Sequence, residues 1–271
     1  MPTALALSGP FDTAPDNWTP ASLLEIARAA ESAGILFLVL PDAIAASDGT
    51  GAWPDASLLA GWLAASTASI GFLVAASTVG HQPYNLARRI ASLDMISGGR
   101  SGWLVRTEDE ENESEAFSGA ARLPEGNTPK RIGEFVSVVR GLWDGWDADA
   151  LLFDQEQGRF LDPAKMHPLD HQGRHFSVQG PLNVMRSPQD RPVLATRADA
   201  PAEIGADLTV SANGFALQGA DGESRRLLVA RSPAEARRHL ADLAEDERIS
   251  APPPNGHTLR ERLFSGKEAG A

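Results

Sequence analysis

Three of the chain's six histidines, His167, His171 and His175, stand four residues apart in KMHPLDHQGRHF (165–176). On a helix, side chains four apart share a face. Three imidazoles gathered that way could hold a zinc-type ion. Pro168 and Gly173 interrupt the run, and an interior proline removes a helix hydrogen bond and clashes with the preceding turn. Without a continuous helix the spacing guarantees no common face, and no HExxH pattern accompanies it. The expectation is therefore no metal site. A second group of polar residues obeys a different rule: Asp42, Ser77, Thr78 and Thr107 each follow a short apolar run. If those runs are parallel strands closed into a barrel, these residues gather at the C-terminal face, where barrels of that kind carry their chemistry. No nucleophile–base pair stands out, so no catalytic residue is assigned.

The elements that would position them are legible in the first half. TALALSG (3–9), ILFLVLPD (35–42), SIGFLVAAST (69–78) and SGWLVRT (101–107) read as strands, the second a continuous apolar run of the buried parallel kind. Between them lie helical patterns. Thr19-Pro20 offers an N-cap and a proline at the first helical position, followed by Leu23, Ile26, Ala27 and Ala30 at helical spacing. Asp55 can cap a helix carrying Leu58, Leu59, Trp62 and Leu63. Pro83 opens a third helix, with Leu86, Ile90 and Leu93 inward and Gly98-Gly99 at its end. A fourth carries Ile132, Phe135, Val136, Val139, Leu142 and Trp143, and Trp143 and Trp146 fit a core face. Arg88 and Arg89 read as structural ion-pair donors; His81, near the strand-three turn, could reach a pocket, though a loop histidine of this kind is more often exposed. Repeated βα units imply a parallel sheet, doubly wound or closed.

The second half is less regular. EDEENESE (108–115) holds six acids and reads as a solvated loop. Residues 147–190 form an excursion rich in Pro, Gly, Asp and His. RPVLATR (191–197) and DLTVSA (207–212) read as a fifth and sixth strand. Ser232-Pro233-Ala234-Glu235 is a capping box, opening a helix with Ala236, Leu240 and Leu243 on one face. Six strands are legible, not eight.

Composition narrows the classes. The chain has 271 residues and a formal charge of -12. Nucleic-acid binding needs clustered Lys and Arg, so it is excluded. No apolar run reaches the roughly 18 residues of a membrane span, and the N-terminus lacks the basic and apolar regions of a signal peptide. There is no cysteine, which removes disulfides, thiol nucleophiles and Cys-ligated metals and is compatible with a cytoplasmic location.

ASTVGHQPYNLARRIASLDMISGGRSGWLVRT (76–107) resembles the strand–helix–strand segment of the bacterial luciferase-like flavin monooxygenases. It is most similar to the branch of nitrilotriacetate, EDTA and dibenzothiophene sulfone monooxygenases. FVSVVRGLWDGWDADALLFDQEQGRFLDPAKMHPLDHQGRHFSVQGPLN (135–183) and the tail TLRERLF (258–264) are similar to later parts of that branch. The resemblance implies an α/β fold, a luciferase-like (β/α)8 TIM-type barrel, as one unit over 1–271. This barrel would be shortened or incomplete in its C-terminal part (213–271). It further implies FMN, reduced by a separate flavin reductase and used with oxygen to oxidise a small organic substrate, in a homo- or heterodimer. The cofactor-binding positions it assigns are Asp42, Ser77 and Thr78.

Other positions depart from the family pattern. Leu104 stands where the branch has asparagine, and Glu108 where it has serine. Thr128 and Ile132 replace a histidine and a tyrosine that bind cofactor in the family. TRADA (196–200) replaces a turn rich in Ser and Gly that holds the phosphate, with Arg197 as a substitute phosphate partner beside an opposing Asp199. These departures keep a second reading open, a degenerate non-catalytic homologue acting as a partner subunit or small-molecule binder; a deazaflavin-binding relative is a third. The missing length falls between about 212 and 255; an incomplete barrel exposes sheet edges unless something covers them, and a partner subunit is one way to do that.

Overall fold

The computed structural model describes residues 2–12, 14, 16–42, 53–107, 113–116, 128–200, 204–211, 216–245 and 257–264. Strands β1 (Thr3–Leu7), β2 (Phe37–Pro41), β3 (Gly71–Ala75) and β4 (Ser101–Leu104) alternate with helices α1 (Pro20–Ser32), α2 (Ala56–Ala64) and α3 (Pro83–Ser97). Helix α4 (Pro129–Trp143) follows. The local signals act as read: Thr19 accepts from the Ser22 N–H, Asp55 from Ser57 and Leu58, and Gly98 ends α3 in the left-handed region at φ 68°. The excursion forms two small hairpins outside the barrel, β5 (Leu151–Asp154) with β6 (Arg159–Leu161), and β7 (His171–Gln172) with β8 (Ser177–Val178).

The C-terminal part decides between a shortened and an incomplete barrel. Beyond β9 (Val193–Arg197) and β10 (Leu208–Val210) lie two strands the sequence reading did not find, β11 (Ala216–Gly219) and β12 (Ser224–Ala230). They form a hairpin, and the barrel closes in the order β1-β12-β11-β10-β9-β4-β3-β2. All pairings are parallel except β10–β11 and β11–β12. The barrel is thus shortened but not incomplete: one antiparallel strand stands where parallel βα units would be. Among the described residues, closure leaves the barrel sheet no edge for a partner to cover. Helix α5 (Pro233–Glu245) packs outside against α1. Its capping differs in detail, because Glu235 accepts from the Arg231 N–H rather than that of Ser232.

Alternation along the strands sorts side chains into two cores. Leu5, Leu38, Phe72, Trp103 and Leu194 face the helices. Ala4, Phe37, Leu73, Val193, Leu208 and Leu227 fill the barrel interior. Gly102 is needed there, because a Cβ would lie 2.4 Å from both Leu73 Cδ2 and the Val193 carbonyl oxygen. The tail forms α6 (Leu259–Phe264), which inserts Leu259 and Leu263 into the interior core from the N-terminal end. Among the described residues no helix is long and apolar enough to cross a membrane.

On the helix that Asp55 caps, Leu58 and Trp62 are 73% and 39% exposed and line an outer groove between α2 and α3 with Ile96. Arg89 forms the expected ion pair, to Asp55 at 2.8 Å. Arg88 instead donates to the Asn183 amide oxygen at 2.8 Å.

Candidate functional site

The C-terminal ends of β2, β3, β4 and β9 bring the sequence-selected polar residues to one mouth. Asp42 follows β2 and is 8% exposed. Its Oδ1 accepts from the Ala56 N–H at the start of α2, at 3.4 Å, where the helix dipole favours an anion. Ser77 and Thr78, just past β3, are both fully buried. The Ser77 hydroxyl accepts from the Val79 N–H at 3.0 Å, and Ser77 bridges to Arg106 at the end of β4. The Thr78 carbonyl accepts from Arg131 at 3.1 Å.

His81, expected to be exposed, is mostly buried, with Nε2 3.6 Å from Asp42 Oδ2. That distance exceeds hydrogen-bond reach, and Nε2 has no hydrogen-bond partner among the described residues. The loop after β3 therefore folds back over β2, which sequence spacing does not reveal.

Position 104 supports the interior rather than a polar contact, since Leu104 packs against the interior cluster. Two residues on, alternation points Arg106 into the mouth. Its guanidinium is ion-paired with Glu113, which is fully buried. The Arg106 Nε is itself buried without a hydrogen-bond partner among the described residues. The solvated-loop reading of the acidic run thus fails at Glu113, which lies in a helical turn over 113–116; Glu108 and the rest of 108–112 lie outside the described residues, as does the 251–256 link. On the adjoining strand, Arg197 ends β9 and pairs with Asp199 through two 2.9 Å hydrogen bonds.

The positions of the family's histidine and tyrosine serve helix α4 instead. Thr128 is its N-cap, accepting from the Arg131 N–H at 3.3 Å. Ile132 is fully buried against the barrel's outer core. The residue between them that the sequence reading passed over, Arg131, reaches Thr78 and stacks its guanidinium 5.1 Å from the Phe176 ring centre. Arg106, Glu113 and Arg131 were all missed; only Arg106 had a signal, its two-residue offset from Leu104.

The three histidines do not converge. His171 Nε2 lies 3.1 Å from Glu134 Oε1, His167 Nε2 lies 3.1 Å from Asp147, and His175 gives Glu134 its backbone N–H. No cluster of three or more His, Asp or Glu able to hold a metal occurs among the described residues.

The sequence matches the profile of the luciferase-like monooxygenases over residues 4–254. N-acetyl-S-(2-succino)cysteine monooxygenase of Bacillus subtilis (strain 168) is 47% identical over 132 residues, 49% of this chain and 30% of the relative. Dibenzothiophene-sulfone monooxygenase of Rhodococcus erythropolis is 38% identical, over 62% of this chain and 40% of the relative. Among solved structures, EDTA monooxygenase from Chelativorans sp. BNC1 superposes with a TM-score of 0.60 at 29% identity, covering 74% of this chain and 50% of that one. The chain therefore spans half or less of the length of each of these relatives.

Proposed function

The chain belongs to the luciferase-like monooxygenase family, and on that premise we propose that it oxidises a small organic substrate with oxygen and reduced FMN. The observation that carries this reading is the mouth itself: Asp42, Ser77 and Thr78 are buried together at the C-terminal strand ends, where a barrel of this kind does its chemistry. The residues present fit a flavin. Two buried polar atoms there, His81 Nε2 and Arg106 Nε, have no hydrogen-bond partner among the described residues, and a flavin offers ring and phosphate groups to meet them. Asp42, Ser77 and Thr78 would line the ring, and Arg106 and Arg197 would face its phosphate. Bound there, the flavin would supply the redox chemistry, while the chain orients it and excludes bulk water.

The reading includes a separate flavin reductase as electron source and a cytoplasmic location. It also includes a dimer, supported by the exposed Leu58, Trp62 and Ile96 along the α2–α3 groove. To test the function, the protein is mixed with FMN, gel-filtered and its visible spectrum recorded, then the mixing is repeated with reduced FMN under nitrogen. Retained flavin with oxygen-dependent substrate consumption is the expected result. Failure to retain either redox state at high flavin concentration would overturn the enzyme reading in favour of a non-catalytic homologue.

A further inference from the structure

The floor of the barrel, at the end opposite the mouth, holds two buried arginines. Arg100 stands just before β4 and is 6% exposed; Arg262 lies on α6 and is 5% exposed. The docking of α6 brings them to the same place. The Leu259 N–H bonds to the Gly99 carbonyl at 2.8 Å. Gly71 has no room for a Cβ, which would lie 2.8 Å from Leu259 Cδ1 and 3.2 Å from the Arg100 carbonyl oxygen. The first turn of α6 is thus seated against the starts of β3 and β4. Arg262 follows within that turn, its N–H bonded to the Thr258 carbonyl at 3.2 Å.

The two guanidinium groups are met differently. Arg100 places its donors on neutral oxygens, the Ser97, Ile70, Ala64 and Thr67 carbonyls and the Thr67 hydroxyl. Arg262 Nε and Nη2 are both buried and have no hydrogen-bond partner among the described residues. Those two nitrogens form one edge of the guanidinium, the edge that carboxylates and phosphates grip with two parallel hydrogen bonds. Both arginines feel the charge of Glu31. Its Oε1, however, already accepts from the Ala68, Ser69 and Ile70 N–H groups and the Ser69 hydroxyl. Burial, and then the neighbouring Arg100 charge, disfavour the charged form of Arg262, while Glu31 favours it. Two buried cations thus share one carboxylate in a chain of charge -12. A buried charge left without a partner is strongly destabilising.

We infer that the floor is an anion site, where a small oxyanion of phosphate or carboxylate type takes both Nε and Nη2 of Arg262, with Arg100 adding charge. The site is separated from the mouth by the five residues of β3, roughly 15 Å of strand. Its occupant is therefore not the ligand of the mouth, and the inference goes beyond the flavin reading without depending on it. Helix α6 carries Arg262 together with Leu259 and Leu263, which fill the interior core from below. An anion on Arg262 thus fastens the helix that closes the barrel, and its binding is read as stability of the fold.

The test is thermal unfolding of the whole chain, without flavin, in phosphate or acetate against chloride at equal ionic strength. Phosphate also stabilises proteins in general, through exclusion from their surfaces, so a saturating rise is the readout. Wild type should gain about 3 °C or more, saturating by ~10 mM of at least one of the two oxyanions. Arg262→Met should show no saturating gain, and Arg262→Lys, which keeps the charge but loses the fork, only part of it. Wild type alone supplies a second measurement should a variant misfold: the oxyanion shift should persist at saturating FMN. Loss of the shift under FMN would place the anion in the mouth and overturn the floor site. A saturating shift retained by Arg262→Met would overturn it too, as would a linear rise equal in wild type and variant with both oxyanions. A chain that binds no FMN yet shows the saturating, Arg262-dependent shift keeps the floor site and loses the flavin reading.

Discussion

At the scale of single residues, Glu134 explains the histidines that first suggested a metal. Its carboxylate accepts from the backbone N–H groups of His175 and Phe176 and lies against the His171 ring. Burial alone would raise its pKa, but the His171 contact and the two N–H groups together hold it below the ordinary 4.5. A carboxyl with a lowered folded pKa stabilises the fold above its unfolded value and loses that contribution as pH falls through the folded one. The melting temperature of Glu134→Gln should therefore fall furthest below wild type near neutral pH, and the gap should narrow below pH 4.5. A gap independent of pH would contradict this. The sequence showed the four-residue spacing but not the partner, because Glu134 lies 37 residues before His171 on another element. The strand-end placement of Asp42, Ser77 and Thr78 was legible because each lies close behind an apolar run that forms a strand. Arg106, Glu113 and Arg131 act through long side chains whose targets no local pattern marks.

At the scale of elements, helices and parallel strands of the first half were legible because their caps and apolar periods are strong. The last two strands were not. Strand β12 reads SRRLLVA, with exposed Ser224 and Arg226 alternating with buried neighbours, so it lacks the apolar run of a buried parallel strand. Its hairpin did leave one mark, Asp221-Gly222, with Gly222 at φ 82°, a dipeptide that favours tight turns. The connection from β9 to β10 is likewise held by side chains: Arg140 donates to the Ile204 and Gly205 carbonyls, and Asp207 accepts from Arg260 and the Leu194 N–H. Helix α6 is held from its first turn, where Glu261 accepts from the His257 and Thr258 N–H groups. Leu259, fully buried, then closes the barrel floor. Leu259→Ala should lower unfolding free energy by about 2–5 kcal/mol, as other buried Leu truncations do, read by urea denaturation. A midpoint equal to wild type would mean that α6 is not part of the cooperative fold.

At the scale of the whole molecule, a closed eight-strand barrel changes what a second chain would do. It is not needed to cover a sheet edge, so association would use the apolar strip of Leu58, Trp62 and Ile96 outside the barrel. Trp62→Glu should convert a dimer to monomer on size-exclusion chromatography without lowering the melting temperature; an unchanged dimer would place the interface elsewhere. The central claim is that the mouth above Leu104 is the flavin site. Leu104 is partly exposed and faces the mouth from the interior core, so a tryptophan there fills the flavin's space while the barrel below keeps its packing. The direct measurement is an anaerobic titration of reduced FMN against wild type and Leu104→Trp, with unfolding curves for both. The account expects one flavin per wild-type chain and at least about a tenfold loss of affinity in a variant that unfolds like wild type. Equal flavin affinity in the two proteins would contradict it.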